Sequence, residues 1–104
     1  MNNLLNIYEK NSIKLSKAII QKIGLTEALI LGFMLDKWAD FGYDDFYYTI
    51  SDLSNDITIS ERNCRAAIQS LINEKILIKK EFKGLPAKQY YNIDEAELSK
   101  VCKG

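Results

Sequence analysis

The sequence predicts an α+β fold, in which helices are combined with a small antiparallel β-hairpin. Three observations support this prediction. Apolar residues recur at helical spacing over residues 13–23 and 60–74, which is typical of helices with one buried face. Strand-forming residues instead dominate 76–82 and 88–93, with a turn containing glycine and proline between them. At 104 residues, the chain is long enough for one domain with one core.

The first part of the chain is predicted to form an arm and two helices. Residues 1–12 are assigned to an N-terminal arm, for which the pattern leaves a helix, a strand or an exchanged segment open. The domain itself spans residues 13–104, and its first helix ends at Gly24. Thr26 is predicted to be the N-cap of a second helix, whose body Glu27–Ala39 is apolar almost all round.

This apolar second helix must be covered on every side, because apolar surface is unfavourable in water. One of its faces meets the core of its own domain. We expect a second copy of the chain to cover the other face, which predicts a homodimer. The alternative is a central helix wrapped by the arm and the C-terminal segment of the same chain, and the sequence leaves both arrangements open.

A loop, a short strand and a short helix are predicted to follow. Residues 40–45 form a polar loop, and the aromatic residues 46–48 form a strand, because aromatic side chains favour half-buried pleated positions. Thr49 is predicted to cap a helix that reaches Leu53, and residues 54–58 supply a turn.

A longer helix is predicted to begin after the N-cap Ser60 and to run to about Glu74. Its core-facing side consists of Cys64, Ala67, Ile68, Leu71 and Ile72. After the hairpin, Asp94 and Glu97 have the spacing of a capping box that starts a short closing helix. The order of short helix, turn, longer helix and hairpin is that of a winged helix-turn-helix, a module that commonly binds double-stranded DNA.

The exposed side of the longer helix carries side chains that can read base pairs. Arginine forms paired hydrogen bonds with guanine, and asparagine or glutamine does so with adenine. The free amides at the start of the helix can hold a phosphate. The candidate recognition-helix residues are Ser60, Arg62, Asn63, Arg65 and Gln69. An ordinary solvated helix surface is the other interpretation of this face.

The hairpin, as the wing, is predicted to be the main DNA anchor. Four lysines and one glutamate lie around its turn, whereas residues 60–74 carry two arginines and two glutamates. Attraction to phosphates provides most of the affinity of such proteins for DNA, and a hairpin tip fits the minor groove. The candidate wing residues are Lys79, Lys80, Lys83, Gly84, Lys88 and Gln89. The alternative is a solvated hairpin whose lysines protect an edge strand.

Charge is distributed unevenly along the chain, although the net charge is zero. Residues 1–59 carry five lysines and eight acidic side chains, whereas residues 60–104 carry nine basic and six acidic side chains. The sign therefore changes where the predicted DNA-reading part begins. Six aspartates and one lysine lie between Asp36 and Asp56. We expect this acidic surface to face away from DNA, and docking to a basic partner is the alternative.

Two pairs of tyrosines, Tyr47 with Tyr48 and Tyr90 with Tyr91, lie on neighbouring predicted strands. Bases of single-stranded nucleic acid stack on exposed aromatic rings, which is one interpretation. We expect instead that each pair packs one ring inward and leaves one hydroxyl outward, because side chains alternate along a strand.

Several classes of function are not expected. The chain has no histidine and two cysteines, which leaves too few ligands for a metal site and removes the usual general base. Neither an enzyme nor a cofactor is therefore expected, and Cys64 is predicted to be a small core residue. No apolar run is long enough to cross a membrane, and the first residues lack a secretory signal, so the cytoplasm is the expected compartment.

Four segments carry a resemblance to known proteins, namely IGLTEALIL, FYYTISDLS, SERNCRAAIQSLINEKILIKK and QYYNI. Over about residues 13–93 the chain resembles winged-helix proteins of plasmids and phages of low-GC Gram-positive bacteria. Within that group it looks like the TcpK-type relaxosome accessory proteins of clostridial conjugative plasmids. The resemblance implies DNA binding at an origin of transfer or replication, with a relaxase or another origin-processing protein as partner. A glycine commonly stands in that pattern where Lys75 stands here, which implies a slightly different helix ending.

The sequence therefore predicts a sequence-specific double-stranded DNA-binding accessory protein of a mobile element, which marks an origin of conjugative transfer or replication. Two alternatives stay open. A transcriptional repressor would bind sites that overlap a promoter. A protein-interaction module of a phage replisome would have no DNA affinity at moderate salt and would expose apolar surface on the helix Thr26–Trp38.

Overall fold

The computed structural model of the chain describes residues 17–84 and 87–103. In chain order, the elements are α1 (Lys17–Ile23), α2 (Leu25–Asp40), β1 (Phe46–Tyr47), α3 (Ile50–Ile57), α4 (Glu61–Asn73), β2 (Leu77–Lys83), β3 (Lys88–Ile93) and α5 (Glu95–Lys103). The predicted arm, residues 1–12, lies outside the described residues. The α+β class and the order of the elements from α1 to α5 are confirmed, and this arrangement is compatible with a winged helix.

Helix α2 is the centre of the core. Along it, Ala28, Ile30, Leu31, Met34 and Leu35 are all buried. Helices α1, α3 and α4 and strands β1 and β3 pack around it and cover most of its apolar residues. Leu29 and Phe33 stay half-buried, and Leu25, the first residue of the helix, is exposed. Most of the apolar surface of α2 is therefore covered without a second copy, and the homodimer stays a prediction.

The three strands form one antiparallel sheet in the order β1-β3-β2, which places β2 at an edge of the described sheet. On one face, Phe46 lies opposite Tyr91 and Leu77 lies opposite Ile93, and all four side chains are buried in the core. Successive side chains of a strand point to opposite faces, so Tyr47, Tyr90 and Asn92 share the outer face. The register of β2 and β3 shifts between Lys79 and Phe82, which marks a β-bulge.

Two predicted N-caps are confirmed. The Thr49 Oγ1 accepts a hydrogen bond from the backbone amide of Asp52 at 3.1 Å and caps α3. The Ser60 Oγ accepts one from the amide of Asn63 at 3.2 Å and caps α4. Each bond satisfies one of the amides that a helix start leaves without an intrahelical partner.

The prediction that Thr26 caps α2 is wrong, because the helix begins one residue earlier, at Leu25, with Gly24 as its N-cap. The amide of Gly24 donates to the carbonyl of Ile20 at 2.8 Å, and the carbonyl of Gly24 accepts from the amide of Ala28 at 2.9 Å. Gly24 therefore ends α1 and begins α2. Its φ of 97° is accessible to glycine without steric cost, which explains why no side-chain cap is used.

The predicted end of α3 at Leu53 is also wrong. The helix continues to Ile57, and residues 54–58, expected to form the turn, are mostly its last turn. The amide of Thr58 donates to the carbonyl of Ser54 at 2.9 Å, and Thr58 then adopts the left-handed conformation that ends the helix. The connection to α4 is consequently shorter than the sequence suggested.

Lys75 gives α4 a left-handed ending of the kind that glycine usually provides. The amide of Lys75 donates to the carbonyl of Ile72 at 2.9 Å, and the amide of Ile76 donates to that of Leu71 at 3.1 Å, which together form a Schellman motif. Lys75 has a φ of 65°, so the lysine adopts this conformation despite the steric cost of its Cβ. The different helix ending implied by the missing glycine is therefore not observed.

The closing helix α5 shows half of the predicted capping box. The Asp94 Oδ1 accepts a hydrogen bond from the amide of Glu97 at 3.1 Å. The reciprocal bond is replaced, because the amide of Asp94 donates to the carbonyl of Ile76 at 2.9 Å. The Glu97 carboxylate instead accepts from the Lys100 Nζ at 3.3 Å. The start of α5 is thereby tied to the residue that precedes β2.

Candidate nucleic-acid interface

Helix α4 separates a buried face from an exposed polar face, as its sequence predicts. Cys64, Ala67, Ile68 and Leu71 are buried, whereas Ile72 is half-buried at the edge of the core. The candidate recognition-helix residues are all exposed. They are Ser60, Arg62, Asn63, Arg65 and Gln69. The structure therefore brings the predicted recognition residues to one accessible face.

The exposed residues of α4 differ in how much of their hydrogen-bonding capacity is already used. Arg65 donates to the Glu61 carboxylate at 3.2 Å, one helical turn away. The Gln69 Nε2 donates to the Asn73 Oδ1 at 3.0 Å. The Arg62 guanidinium has no ion-pair partner among the residues that the structure describes. Arg62 is therefore the arginine of α4 that can bind a base or a phosphate without first leaving another contact.

The turn before α4 forms an open cleft of about 340 Å³, lined by Ser54, Asn55, Thr58, Ile59 and Ser60. The Ser54 Oγ donates to the carbonyl of Ile59 and fixes the turn. The first amides of α4 lie beside this cleft, so the positive end of the helix dipole is accessible from solvent. This geometry suits a phosphate contact of α4.

The predicted wing residues lie on the antiparallel pair β2–β3, which we call the lysine-rich hairpin (residues 77–84 and 87–93). Lys79 and Lys80 are exposed, and their ammonium groups have no ion-pair partner among the described residues. These two lysines flank the start of the β-bulge on the edge strand. They are therefore accessible to a phosphate backbone that approaches this edge.

Lys83 and Lys88 are held by contacts within the chain. The Lys83 Nζ lies 3.7 Å from the Asp45 Oδ2 and 5.2 Å from the centre of the Tyr90 ring. The Lys88 Nζ lies 4.3 Å from the centre of the Tyr47 ring. Lys83 and Lys88 are direct neighbours across the two strands, where like charges repel, and the carboxylate and ring faces offset this repulsion.

The remaining two predicted wing residues have mainly structural contacts. Gly84 has a φ of 94° and takes the left-handed conformation that the turn requires. The Gln89 Nε2 donates to the carbonyl of Lys80 and, at 2.9 Å, to the carbonyl of Tyr90. Gln89 therefore fixes the β-bulge, and its amide nitrogen is already engaged in the free chain.

Each tyrosine pair has one buried and one half-buried ring, as predicted, although Tyr48 follows β1 and is not part of the sheet. Tyr48 and Tyr91 are buried, whereas Tyr47 and Tyr90 are half-buried on the outer face, with ring centres 5.4 Å apart. Because Lys83 and Lys88 lie over these outer rings, the rings are not open for stacking with bases. The outer tyrosines instead position the two lysines.

Asp45 lies beside the lysine-rich hairpin, which was not expected of a residue from the acidic stretch. It lines an open groove of about 500 Å³ together with Lys79, Lys80, Glu81 and Lys83. The Asp45 Oδ1 also accepts a hydrogen bond from the Asn92 Nδ2 at 2.8 Å. The expectation that this stretch faces wholly away from the predicted DNA surface is therefore wrong at Asp45. The reason is that β1 pairs with β3 and brings the preceding residue over the sheet.

Other aspartates of the acidic stretch have structural partners or solvent contact away from the hairpin. The Tyr48 hydroxyl donates to the Asp56 Oδ2, and burial together with the Asp56 carboxylate raises the pKa of Tyr48 far above its ordinary value. Asp40 and Asp44 are exposed. Asp45 is thus the aspartate of this stretch that forms an ion pair with a lysine of the hairpin.

Cys64 is a buried core residue, as predicted. Its thiol lies 3.8 Å from the carbonyl of Ile59, and burial, with a further contribution from Glu61, raises the pKa of Cys64. A raised pKa keeps the thiol protonated and poorly nucleophilic. Among residues 17–84 and 87–103, no group of three or more histidine, cysteine or acidic side chains is placed to hold a metal ion.

Sequence reasoning missed two residues at this surface. Asp45 was grouped with the other acidic residues, and only the pairing of β1 with β3 reveals its contact with Lys83. The strand predicted over 76–82 gives no indication that Phe82 is exposed, yet its side chain is 66% exposed. The sequence does offer one signal, because an aromatic residue stands within the charged run Lys79–Lys83.

Comparisons with known proteins leave the family open. No family model and no curated protein matches the chain. Among solved structures, the chain is similar to one described as "N-Terminal domain of DNA binding protein", with a TM-score of 0.50 and 17% sequence identity. The match covers 92% of this chain and 79% of that chain. At this level of identity, the likeness shows a shared fold. In addition, none of the described helices is long and apolar enough to span a membrane.

Proposed function

We propose that the chain is a non-catalytic winged-helix protein that binds double-stranded DNA, with the lysine-rich hairpin as its main anchor. The observation that carries this proposal is the pair of exposed ammonium groups on Lys79 and Lys80, at the edge of a hairpin rich in lysine. Cations without internal partners can neutralise phosphates without breaking another contact. The exposed face of α4 then supplies side chains that can contact base edges, including Arg62, which has no ion-pair partner among the described residues.

The likeness to a solved domain described as part of a DNA-binding protein supports the same proposal. That domain shares the fold over most of this chain, and its description states DNA binding for that protein. The charge distribution of this chain agrees with such a ligand, because its C-terminal part, residues 60–104, carries the excess of basic side chains.

The more specific role that we propose is that of an accessory protein of a mobile element, marking an origin of transfer or replication. This part of the proposal rests on the sequence resemblance of residues 13–93 to plasmid and phage winged-helix proteins. A relaxase or another origin-processing protein is the proposed protein partner. A homodimer belongs to the same proposal, since two copies would match a DNA site with two-fold symmetry.

The alternative of a protein-interaction module receives no support from residues 26–38 of α2. The large apolar side chains that are exposed in the described chain are Leu25, Tyr43, Ile78 and Phe82. None of them lies between Thr26 and Trp38, where that alternative expects an exposed apolar surface. The distribution of exposed apolar and cationic side chains therefore favours DNA over a protein as the binding partner.

A genomic binding selection tests the proposed function. Purified protein is mixed with sheared DNA of its host and element at near-physiological salt, and the bound fragments are sequenced. We expect a sharp repeat near a nicking or replication origin. Enrichment at promoters would indicate a repressor instead, and a bound fraction identical to the input would remove the DNA-binding proposal.

A further inference from the structure

Phe82 is an exposed aromatic residue in a cationic setting. Its side chain is 66% exposed, in a strand at the edge of the sheet. Lys83 follows it directly and Lys80 precedes it by two residues, with Glu81 between Lys80 and Phe82, and all three charged residues are exposed. An exposed phenylalanine in an edge strand favours aggregation, and the nearby lysines oppose it. The lysines explain how the edge strand avoids aggregation, but they do not explain why an apolar ring is exposed there.

The local backbone holds Phe82 in this position. Phe82 lies opposite Gln89, two residues before the buried Tyr91, so it is on the sheet face that the helices cover. It lies beyond the helices described here, since the ring stays exposed. The β-bulge between Lys79 and Phe82 sets this orientation, and the Gln89 amide fixes the bulge through the carbonyl of Lys80. The Phe82 ring therefore projects from a part of β2 whose backbone is fixed by the Gln89–Lys80 hydrogen bond.

The chemistry of the ring restricts what it can contact on DNA. A phenyl ring offers no hydrogen-bond donor for a phosphate, and the neighbouring lysines supply that contact. Apolar side chains that DNA-binding proteins present to the minor groove insert between base pairs and unstack them. Pyrimidine–purine steps, above all TA, unstack at the lowest cost.

We infer that Phe82 is an apolar wedge, which the lysine-rich hairpin inserts between base pairs in the minor groove. This inference rests on the proposed function and adds a residue that determines specificity. Lys79 and Lys80, which have no ion-pair partner among the described residues, neutralise the phosphates, while the ring selects a deformable base step. Sequence preference thereby arises on the hairpin, independently of the base contacts made by α4.

The test compares Phe82→Ala with Tyr43→Ala, which removes an aromatic side chain of nearly the same exposure, 65%, from the polar loop of residues 40–45. Binding to a duplex with the selected sequence is measured at several salt concentrations. We expect Phe82→Ala to weaken binding by roughly tenfold and to leave the salt dependence unchanged, because an apolar contact releases no counterions. Phe82→Leu keeps an apolar body and is expected to retain most of the affinity, and Tyr43→Ala is expected to bind as the wild type does.

Unstacking is followed directly with 2-aminopurine, placed in turn at the adenines of the site. Fluorescence is expected to rise at one step with wild-type protein and not with Phe82→Ala. Equal affinity and equal fluorescence for the two proteins would overturn the wedge while leaving DNA binding intact. A change confined to self-association, measured by sedimentation, would overturn it in favour of a contact between copies. Failure of the wild-type protein to bind any duplex would overturn both proposals.

Discussion

The lysine-rich hairpin and α4 both present cations, but they differ in how many of those cations are available to a ligand. Of the four hairpin lysines, Lys79 and Lys80 have neither an ion-pair partner nor a ring contact in the described chain, whereas Lys83 pairs with Asp45 and Lys88 lies over the Tyr47 ring. On α4, Arg65 pairs with Glu61 and leaves Arg62 available. A count of charges therefore overstates the cations available to DNA, because partners within the chain already hold some of them.

Removal of the available hairpin lysines is expected to have the largest effect. Each phosphate contact contributes about fivefold to affinity at physiological salt, so Lys79→Ala with Lys80→Ala should weaken DNA binding by roughly thirtyfold. Fluorescence anisotropy with a labelled duplex measures this loss. The matched control is Lys17→Ala with Lys22→Ala, which removes two exposed lysines of α1 and the same charge. An equal loss in the control would show that net charge, and not the hairpin, drives binding.

The two arginines of α4 are expected to differ. Arg62→Ala should reduce binding to the selected sequence by roughly tenfold and relax base preference at one position, because a paired arginine–guanine contact contributes about 1–3 kcal/mol. Arg65→Ala should cost less, since Arg65 must leave Glu61 before it can bind DNA. A repeated selection with each variant measures the preference. An equal loss of affinity for every DNA sequence would show that α4 contacts only the phosphate backbone of the DNA.

Asp45→Asn is expected to strengthen DNA binding. The substitution removes the carboxylate 3.7 Å from Lys83 and leaves an oxygen that can accept the hydrogen bond from Asn92. If Lys83 then gains one phosphate contact, affinity rises by about fivefold and the salt dependence becomes steeper. Asp44→Asn is the control, because its exposed carboxylate lies in the same loop and forms no ion pair among the described residues. Weaker binding by Asp45→Asn would mean that Asp45 positions Lys83 instead of competing for it.

The smallest expected effect concerns the stability of the fold and lies at Lys75, between α4 and the hairpin. Lys75→Gly should stabilise the fold by about 1 kcal/mol, because glycine adopts the left-handed conformation at φ 65° without steric cost. Chemical denaturation measures the change. DNA affinity should stay close to that of the wild type if this ending already orients the hairpin correctly, and a large change in affinity would contradict that.

Much of the fold could be predicted from local patterns. The N-caps Thr49 and Ser60 and both hairpin strands follow from residue type and spacing. The start of α2 could not be predicted in this way, because the backbone of Gly24 replaces the cap expected from Thr26. The end of α3 was missed because the polar residues of the sequence SNDIT favour a turn, yet tertiary packing extends the helix over most of them.

The residues of the candidate site could be predicted from the sequence, but most contacts among them could not. The exposed face of α4 follows from helical periodicity, and the lysines of the hairpin follow from composition. The contacts Asp45–Lys83 and Gln89–Lys80 depend on strand pairing between distant residues, which no local pattern encodes. The exposure of Phe82 likewise depends on where the helices stop covering the sheet.

The central claim, that the hairpin and not α4 anchors the DNA, is tested most directly by the salt dependence of binding for two matched double variants. One variant carries Lys79→Ala and Lys80→Ala, and the other carries Arg62→Ala and Arg65→Ala. Each loses two positive charges, and both are measured on the same duplex between about 50 and 200 mM salt. We predict that the logarithmic slope falls by about two for the hairpin variant and by less than one for the α4 variant. An unchanged slope for the hairpin variant, with a fall of about two for the α4 variant, would contradict the claim.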